Sequence, residues 1–154
     1  MRRFTSVIVV FVIILDQIVK MFIRSSLKVG ESIDVIGKFF AISHIENTGA
    51  AFSMFEGSRV ILIILPLVIA ALAFYYMAKH PNEHGTFYWA LSLIIGGGIG
   101  NMIDRIRFGS VTDMFDFHFW PVFNVADIAI CVGCGLMIIY VIFFDKKENK
   151  KKVS

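Results

Sequence analysis

Four apolar stretches dominate this sequence, at residues 4–23, 60–78, 85–103 and 125–144. Each holds about twenty residues, and at about 1.5 Å per helical residue each can cross a hydrocarbon core of about 30 Å. Backbone at that depth must satisfy its own hydrogen bonds, so the stretches predict helices. Against that background four aspartates stand out: Asp16, Asp104, Asp113 and Asp127. A carboxylate at membrane depth costs several kcal/mol unless it is paired, neutralised or wet. Each lies in a polar cluster: Asp16-Gln17 with Lys20, Asn101 with Asp104-Arg105, Asp113 with Asp116, and Asn124 with Asp127.

The 154 residues are 57% hydrophobic, above the roughly 45–50% of a soluble domain. The expectation is an all-α integral membrane protein of one domain spanning 1–154. Its net charge of +3 is no nucleic-acid footprint, since five of the fifteen basic residues fall in the last nine positions. That basic tail, 145–154, suits solvent or anionic headgroups. The first stretch follows Arg2-Arg3 like a secretory signal, but no small-residue cleavage site follows, so it reads as a retained helix. Pro66 within the second is tolerated in membranes. Cys131 and Cys134 form a C-x-x-C inside an apolar run and read as two small buried helix residues, one turn apart. No shared metal-ligand spacing links His44, His80, His84 and His118, and no metal or cofactor is expected.

Arg2 and Arg3, Lys79 and the lysine tail fall on one side of a four-helix topology, which the distribution of basic residues makes the cytoplasm. Both termini are then cytoplasmic. Residues 24–59 and 104–124 lie outside. Within 30–55, residues 33–36 and 39–45 read as short strands with turns at Gly30 and Gly37. Phe115, Phe117, Phe119 and Trp120 suit an interfacial aromatic belt. In this topology Asp16 lies about 18 Å and Asp127 about 27 Å from the inner boundary, from the helical rise alone. Asn101 and Asp104 end the third helix and Asp113 lies in the following connection, so the acids converge on the outer half of the bilayer.

Local chemistry leaves several readings open. Asp16 and Lys20, at i and i+4, are either a self-satisfying ion pair or a pair that positions neighbours. Asn124 suits a helix N-cap with Asp127 at the third helical position, where acids favour the exposed amides. Arg105 can snorkel to headgroups, and the glycines from Gly96 to Gly100 allow a neighbouring helix to approach closely. There is no G-x-S-x-G and no H-E-x-x-H. Among hydrolytic chemistries the residues favour a carboxylate pair, in which one acid holds a proton and the other activates water. The rivals are a small four-helix proton-coupled transporter, which predicts a key acid near mid-bilayer, and a non-catalytic membrane adaptor.

Five motifs together resemble the lipoprotein signal peptidase (signal peptidase II) family over almost the whole chain. They are Asp16-Gln17-Ile18-Val19-Lys20, Asn47-Thr48-Gly49-Ala50-Ala51-Phe52-Ser53, Gly97–Gly100 with Asn101-Met102-Ile103-Asp104-Arg105, Val111-Thr112-Asp113-Met114-Phe115 and Phe123-Asn124-Val125-Ala126-Asp127. The resemblance implies four transmembrane helices with a small extracytoplasmic β-cradle. It implies an aspartyl endopeptidase of the bacterial cytoplasmic membrane with Asp113 and Asp127 as its dyad and its active site towards the outer face. Asn47, Asn101, Asp104, Arg105 and Asn124 would position substrate and organise the pocket, with Asp16 and Lys20 in support. The implied substrate is a prolipoprotein whose cysteine already carries diacylglycerol, cut just before that cysteine, and the implied inhibitors are of the globomycin type. Two departures stand out: Thr112 and Met114 flank Asp113 where the family usually has Val and Phe, and Ile128 follows Asp127 where Ser is common.

Overall fold

A computed structural model describes residues 4–49 and 58–145. Arg2, Arg3, residues 50–55 of the expected β region and tail residues 146–154 lie outside the described residues. In chain order the elements are α1 (Thr5–Ser26), β1 (Ser32–Ile36), β2 (Phe40–Asn47), α2 (Arg59–Lys79), α3 (Gly85–Phe108), β3 (Val111–Asp116) and α4 (Val125–Tyr140), which runs on as a π-helical turn, Val141–Asp145. Four helical segments are long and apolar enough to cross a membrane: Thr5–Ser26, Arg59–Lys79, Gly85–Phe108 and Val125–Phe144.

The patterning of α1 shows how these helices pack. Its buried residues are Thr5, Val9, Val12, Asp16, Lys20 and Ile23. They recur every three or four positions and form one stripe. Phe11, Ile14, Leu15, Ile18, Met21 and Phe22 are exposed, as suits a surface facing acyl chains. Two of the three charges of α1, Asp16 and Lys20, therefore share the inward stripe with Val9 and Val12, away from lipid.

Helix α3 is the most buried of the four segments. Its glycines let three partners come close, where any side chain would collide. A Cβ at Gly96 would stand 2.8 Å from Val12 Cβ of α1, and one at Gly97 only 2.4 Å from the Ala126 carbonyl of α4. A Cβ at Gly100 would meet Asp16 Oδ2 at 2.7 Å. The close-approach reading of these glycines thus holds. Pro66 sits within α2 without ending it.

The third helix does not end at Asn101–Asp104, as expected. It continues to Phe108 and stops at Gly109, whose φ of 86° is the left-handed cap that glycine adopts without strain. Asn101, Asp104 and Arg105 are thus inside the last two turns of α3, on the stripe begun by Gly97 and Gly100. The connection that follows holds a strand, β3. β3 pairs antiparallel with β2 in a sheet ordered β1-β2-β3. Asp113 and Asp116 had broken its apolar alternation, although Val111, Thr112, Asp113 and Met114 are all buried.

Candidate active site

Strand β3 delivers Asp113. Its register sets Asn47 opposite Val111 and Ile45 opposite Asp113, so Asn47 is the diagonal neighbour of Asp113 on the same face. Asn47 Nδ2 donates to Asp113 Oδ2 at 3.0 Å, while Asn47 Oδ1 accepts from the Gly49 amide at 2.9 Å. Asp116 is on the opposite face. It accepts from Ser43 Oγ and the His118 amide, so it shapes the sheet end and does not pair with Asp113.

Helix α4 delivers Asp127. A backbone bridge between Phe115 and Phe123 closes the loop between β3 and α4 at its neck, with Phe115 N donating to Phe123 O at 2.8 Å and Phe123 N to Phe115 O at 3.2 Å. Asn124 follows directly. It is the N-cap of α4 in a reciprocal capping box with Asp127: Asn124 Oδ1 accepts from the Asp127 amide at 3.0 Å, and the Asn124 amide donates to Asp127 Oδ2 at 3.2 Å. The cap and the site coincide, because Asn124 Nδ2 also donates to Asp113 Oδ1 at 2.6 Å. One buried residue thus holds both carboxylates, Asp113 through its side-chain amide and Asp127 through its backbone amide.

Asn101 on α3 completes the link. Its Nδ2 donates to Asp127 Oδ1 at 2.8 Å, and its Oδ1 accepts from Asn124 Nδ2 at 3.1 Å and from Lys20 Nζ at 2.8 Å. Lys20 uses its three protons on three partners, the other two being Asp16 Oδ2 at 2.9 Å and Asp104 Oδ2 at 3.3 Å. Asp16, Lys20 and Asp104 have no solvent exposure. Asp16 Oδ1 accepts from the Ala126 amide at 2.9 Å, tying α1 to the first turn of α4. Both readings of the Asp16–Lys20 pair therefore hold: it satisfies itself, and it positions Asn101 and α4. Ion pairs this deep persist only when their remaining donors and acceptors are engaged.

Arg105 reaches the segment after β2. Its Nη2 donates to the Gly49 carbonyl at 2.6 Å, so it does not snorkel outwards. Its buried Nε has no hydrogen-bond partner among the described residues.

The structure thus gathers Asp16, Lys20, Asn47, Asn101, Asp104, Arg105, Asp113, Asn124 and Asp127 around one end of the bundle. Sequence reasoning missed two contributors. Gln17 Nε2 donates to Asp104 Oδ1 at 3.0 Å and to the Gly100 carbonyl at 3.2 Å. Arg24 Nη1 reaches Thr112 Oγ1 at 2.9 Å and Asp104 Oδ2 at 3.4 Å. The signal for Arg24 was its four-residue spacing from Lys20, itself four from Asp16. Cys131 and Cys134 lie apart on α4 and, against the expectation that they are buried, are free, exposed thiols on a face of the helix that no other described element covers.

Burial is the largest influence on the Asp113 carboxyl. It disfavours the charged form, the nearby Asp127 charge acts the same way, and the hydrogen bonds from Asn47 and Asn124 and the charge of Lys20 oppose both. The balance raises the Asp113 pKa to about 6, so this acid keeps its proton to a higher pH than an ordinary aspartate.

A bundle of membrane-length helices that holds a buried carboxylate, Asp113, and a half-buried one, Asp127, in one hydrogen-bonded network defines a multi-pass membrane protein with an enzyme-like polar centre. Residues 8–143 match the profile described as signal peptidase (SPase) II. The lipoprotein signal peptidase of Halothermothrix orenii is 42% identical over 134 residues, covering 87% of this chain and 92% of that protein. The lipoprotein signal peptidase of Clostridium tetani is 39% identical over 153 residues, covering 96% and 98%. A solved bacterial membrane enzyme, determined by the in meso method at 2.3 Å, superposes with a TM-score of 0.84 at 33% identity, covering 90% of this chain and 87% of that one. The chain belongs to the signal peptidase II family. It is a multi-pass bacterial membrane peptidase, and no observation favours the transporter.

Proposed function

We propose that this peptidase removes the signal peptide from diacylglyceryl-modified prolipoproteins, cutting just before the lipidated cysteine, with Asp113 and Asp127 as its catalytic dyad. The observation that carries the dyad is Asn124, which hydrogen-bonds both carboxylates at once. Charge balance supports a shared proton. Around the site Asp16, Asp104, Asp113 and Asp127 meet the cations Lys20, Arg24 and Arg105. One negative charge is in excess, and one proton on the dyad cancels it.

In that state the ionised aspartate takes a proton from a water molecule as its oxygen attacks the scissile carbonyl carbon. The protonated aspartate gives its proton to the carbonyl oxygen, forming a gem-diol. Collapse breaks the C–N bond, with a proton passing to the leaving nitrogen. Asn47, Asn101 and Asn124 hold the two acids, and Lys20, itself held by Asp16 and Asp104, holds Asn101. Arg105 Nε is the donor open to a peptide carbonyl.

Basic residues on the other side of the four-helix topology support a reading with both termini in the cytoplasm and the dyad towards the extracytoplasmic face. There a lipid anchor sets the scissile bond at the level of the acids, a positioning effect. Lipid and globomycin-type inhibitors are the further ligands of this reading. The test is turnover of purified enzyme on a diacylglyceryl-modified prolipoprotein. Asp113→Asn and Asp127→Asn should each lose cleavage while inserting normally. A tenth of wild-type turnover in either variant would remove that residue from the chemistry.

A further inference from the structure

Thr112 precedes Asp113 on β3, and its hydroxyl is buried. A buried hydroxyl needs a partner, and here Arg24 Nη1 donates to Thr112 Oγ1 at 2.9 Å. The same Nη1 lies 3.4 Å from Asp104 Oδ2, and that carboxylate oxygen accepts from the Thr112 backbone amide at 3.1 Å. The Arg24 guanidinium also lies 4.5 Å from the centre of the Phe108 ring, which fixes its plane against the last turn of α3. Side chain and main chain of Thr112 are therefore both held, from α1 and from α3.

The next residue is Asp113. Successive residues of a strand point to opposite faces, so Thr112 faces Arg24 while Asp113 faces Asn47 and Asn124. β3 is gripped on both sides, and its rotation about its own axis is fixed. Without the grip on Thr112, that rotation would swing the Asp113 carboxylate relative to Asp127.

We propose that Arg24 and Thr112 form a positioning clamp that sets the orientation of Asp113 through strand β3. The proposal rests on the reading of Asp113 as half of the dyad. Neither residue touches substrate in this account, so both act through Asp113.

The test uses the purified full-length enzyme with a diacylglyceryl-modified prolipoprotein, reading kcat and KM separately. Thr112→Val keeps the side-chain shape and removes the hydroxyl, so folding is retained. It should lower kcat about tenfold, below the roughly hundredfold cost of a 1 Å misplacement, with KM within about twofold. Thr112→Ser restores the hydroxyl and should recover kcat to within about twofold of wild type. Arg24→Gln should lower kcat by a similar factor, and Arg24→Gln/Thr112→Val should be no slower than the slower single variant, as expected for one shared interaction. Wild-type kcat in Thr112→Val, a loss confined to KM, failure of Thr112→Ser to recover, or losses that multiply in the double variant would each overturn the clamp. Asp113→Asn in the same assay separates the two claims. If it is inactive while Thr112→Val is normal, only the clamp fails; if it is active, the dyad reading fails.

Discussion

Each end of this bundle carries polar residues, and the two ends use them differently. Where α1 and α3 finish and α4 begins, Asp16, Lys20, Asp104, Asn124 and Asp113 are all buried. Nearly every oxygen there meets a named donor from another element. At the opposite end, where α2 meets α3, a single acid gathers rings. Tyr140 donates its hydroxyl proton to Glu83, and His80 Nδ1 stands 3.5 Å from Glu83 Oε1. His80 stacks on Tyr76 and His84 on Phe144, with centroids 4.1 and 3.8 Å apart. The His80 side chain is 37% exposed, so water can share the work. Charges are retained in the first region only because five elements satisfy them. The second is a fastening between helix ends, with one acid and soft stacking.

The largest effect on stability should come from breaking the buried network at its hub. Lys20→Met leaves Asp16 and Asp104 without their shared cation, and losing one partner of a buried ion pair costs about 3–5 kcal/mol. Thermal melting in detergent should fall sharply and cleavage with it. A melting point unchanged by Lys20→Met would dissolve the contrast between the two ends.

Next in size is the close approach of α3 and α4. Gly97→Ala drives a methyl group against the Ala126 carbonyl, which is backbone and cannot swing away. Overpacking of this kind costs about 1–3 kcal/mol. It should also disturb cleavage, because Ala126 precedes Asp127. Gly135→Ala on α4 meets nothing within 4 Å and should be silent on both measures.

A finer effect distinguishes the ends by pH. With its pKa raised to about 6, Asp113 is the acid that deprotonates as pH rises through that value. A monoprotonated dyad is then lost, so kcat/KM should fall on the alkaline side of about pH 6. Stability has the same sign: between the ordinary aspartate value and about 6 the folded state holds the extra proton, so stability declines as pH rises across that window. The Asn47 hydrogen bond favours the charged form. Asn47→Ala should therefore raise the pKa further and move the alkaline limb to higher pH, besides slowing the reaction. A limb moving to lower pH would contradict this electrostatic picture.

The smallest effect belongs to the far end. Tyr140→Phe removes one hydrogen bond to Glu83, worth about 1 kcal/mol. Melting should fall slightly and cleavage stay within about twofold.

These differences also explain what could be read from sequence. The stripe of α1 and the pairing of Asp16 with Lys20 follow from local spacing, as does the Asn124 cap with Asp127 at its third position. The strand carrying Asp113 was hidden because both of its faces are buried against polar partners, so no apolar alternation marked it. The extension of α3 to Phe108 was hidden because Asn101, Asp104 and Arg105 look like a polar helix end, when their polar groups are in fact answered by α1 and the β-sheet. Asn101 as the hub between Lys20, Asn124 and Asp127 depends on three chain segments meeting, which no single window of sequence contains. The fold family was legible from ordered motifs. The wiring between them was not.

The central claim is that the buried end performs the chemistry and the far end only fastens. Single-turnover cleavage of a diacylglyceryl-modified prolipoprotein, with Asp113→Asn and Glu83→Gln measured side by side, tests it most directly. Each variant replaces one carboxyl group by an amide at nearly constant shape. The account predicts a loss of at least about a thousandfold for Asp113→Asn, about 4 kcal/mol in the barrier, and a change within about twofold for Glu83→Gln. Comparable rates for the two variants would contradict it.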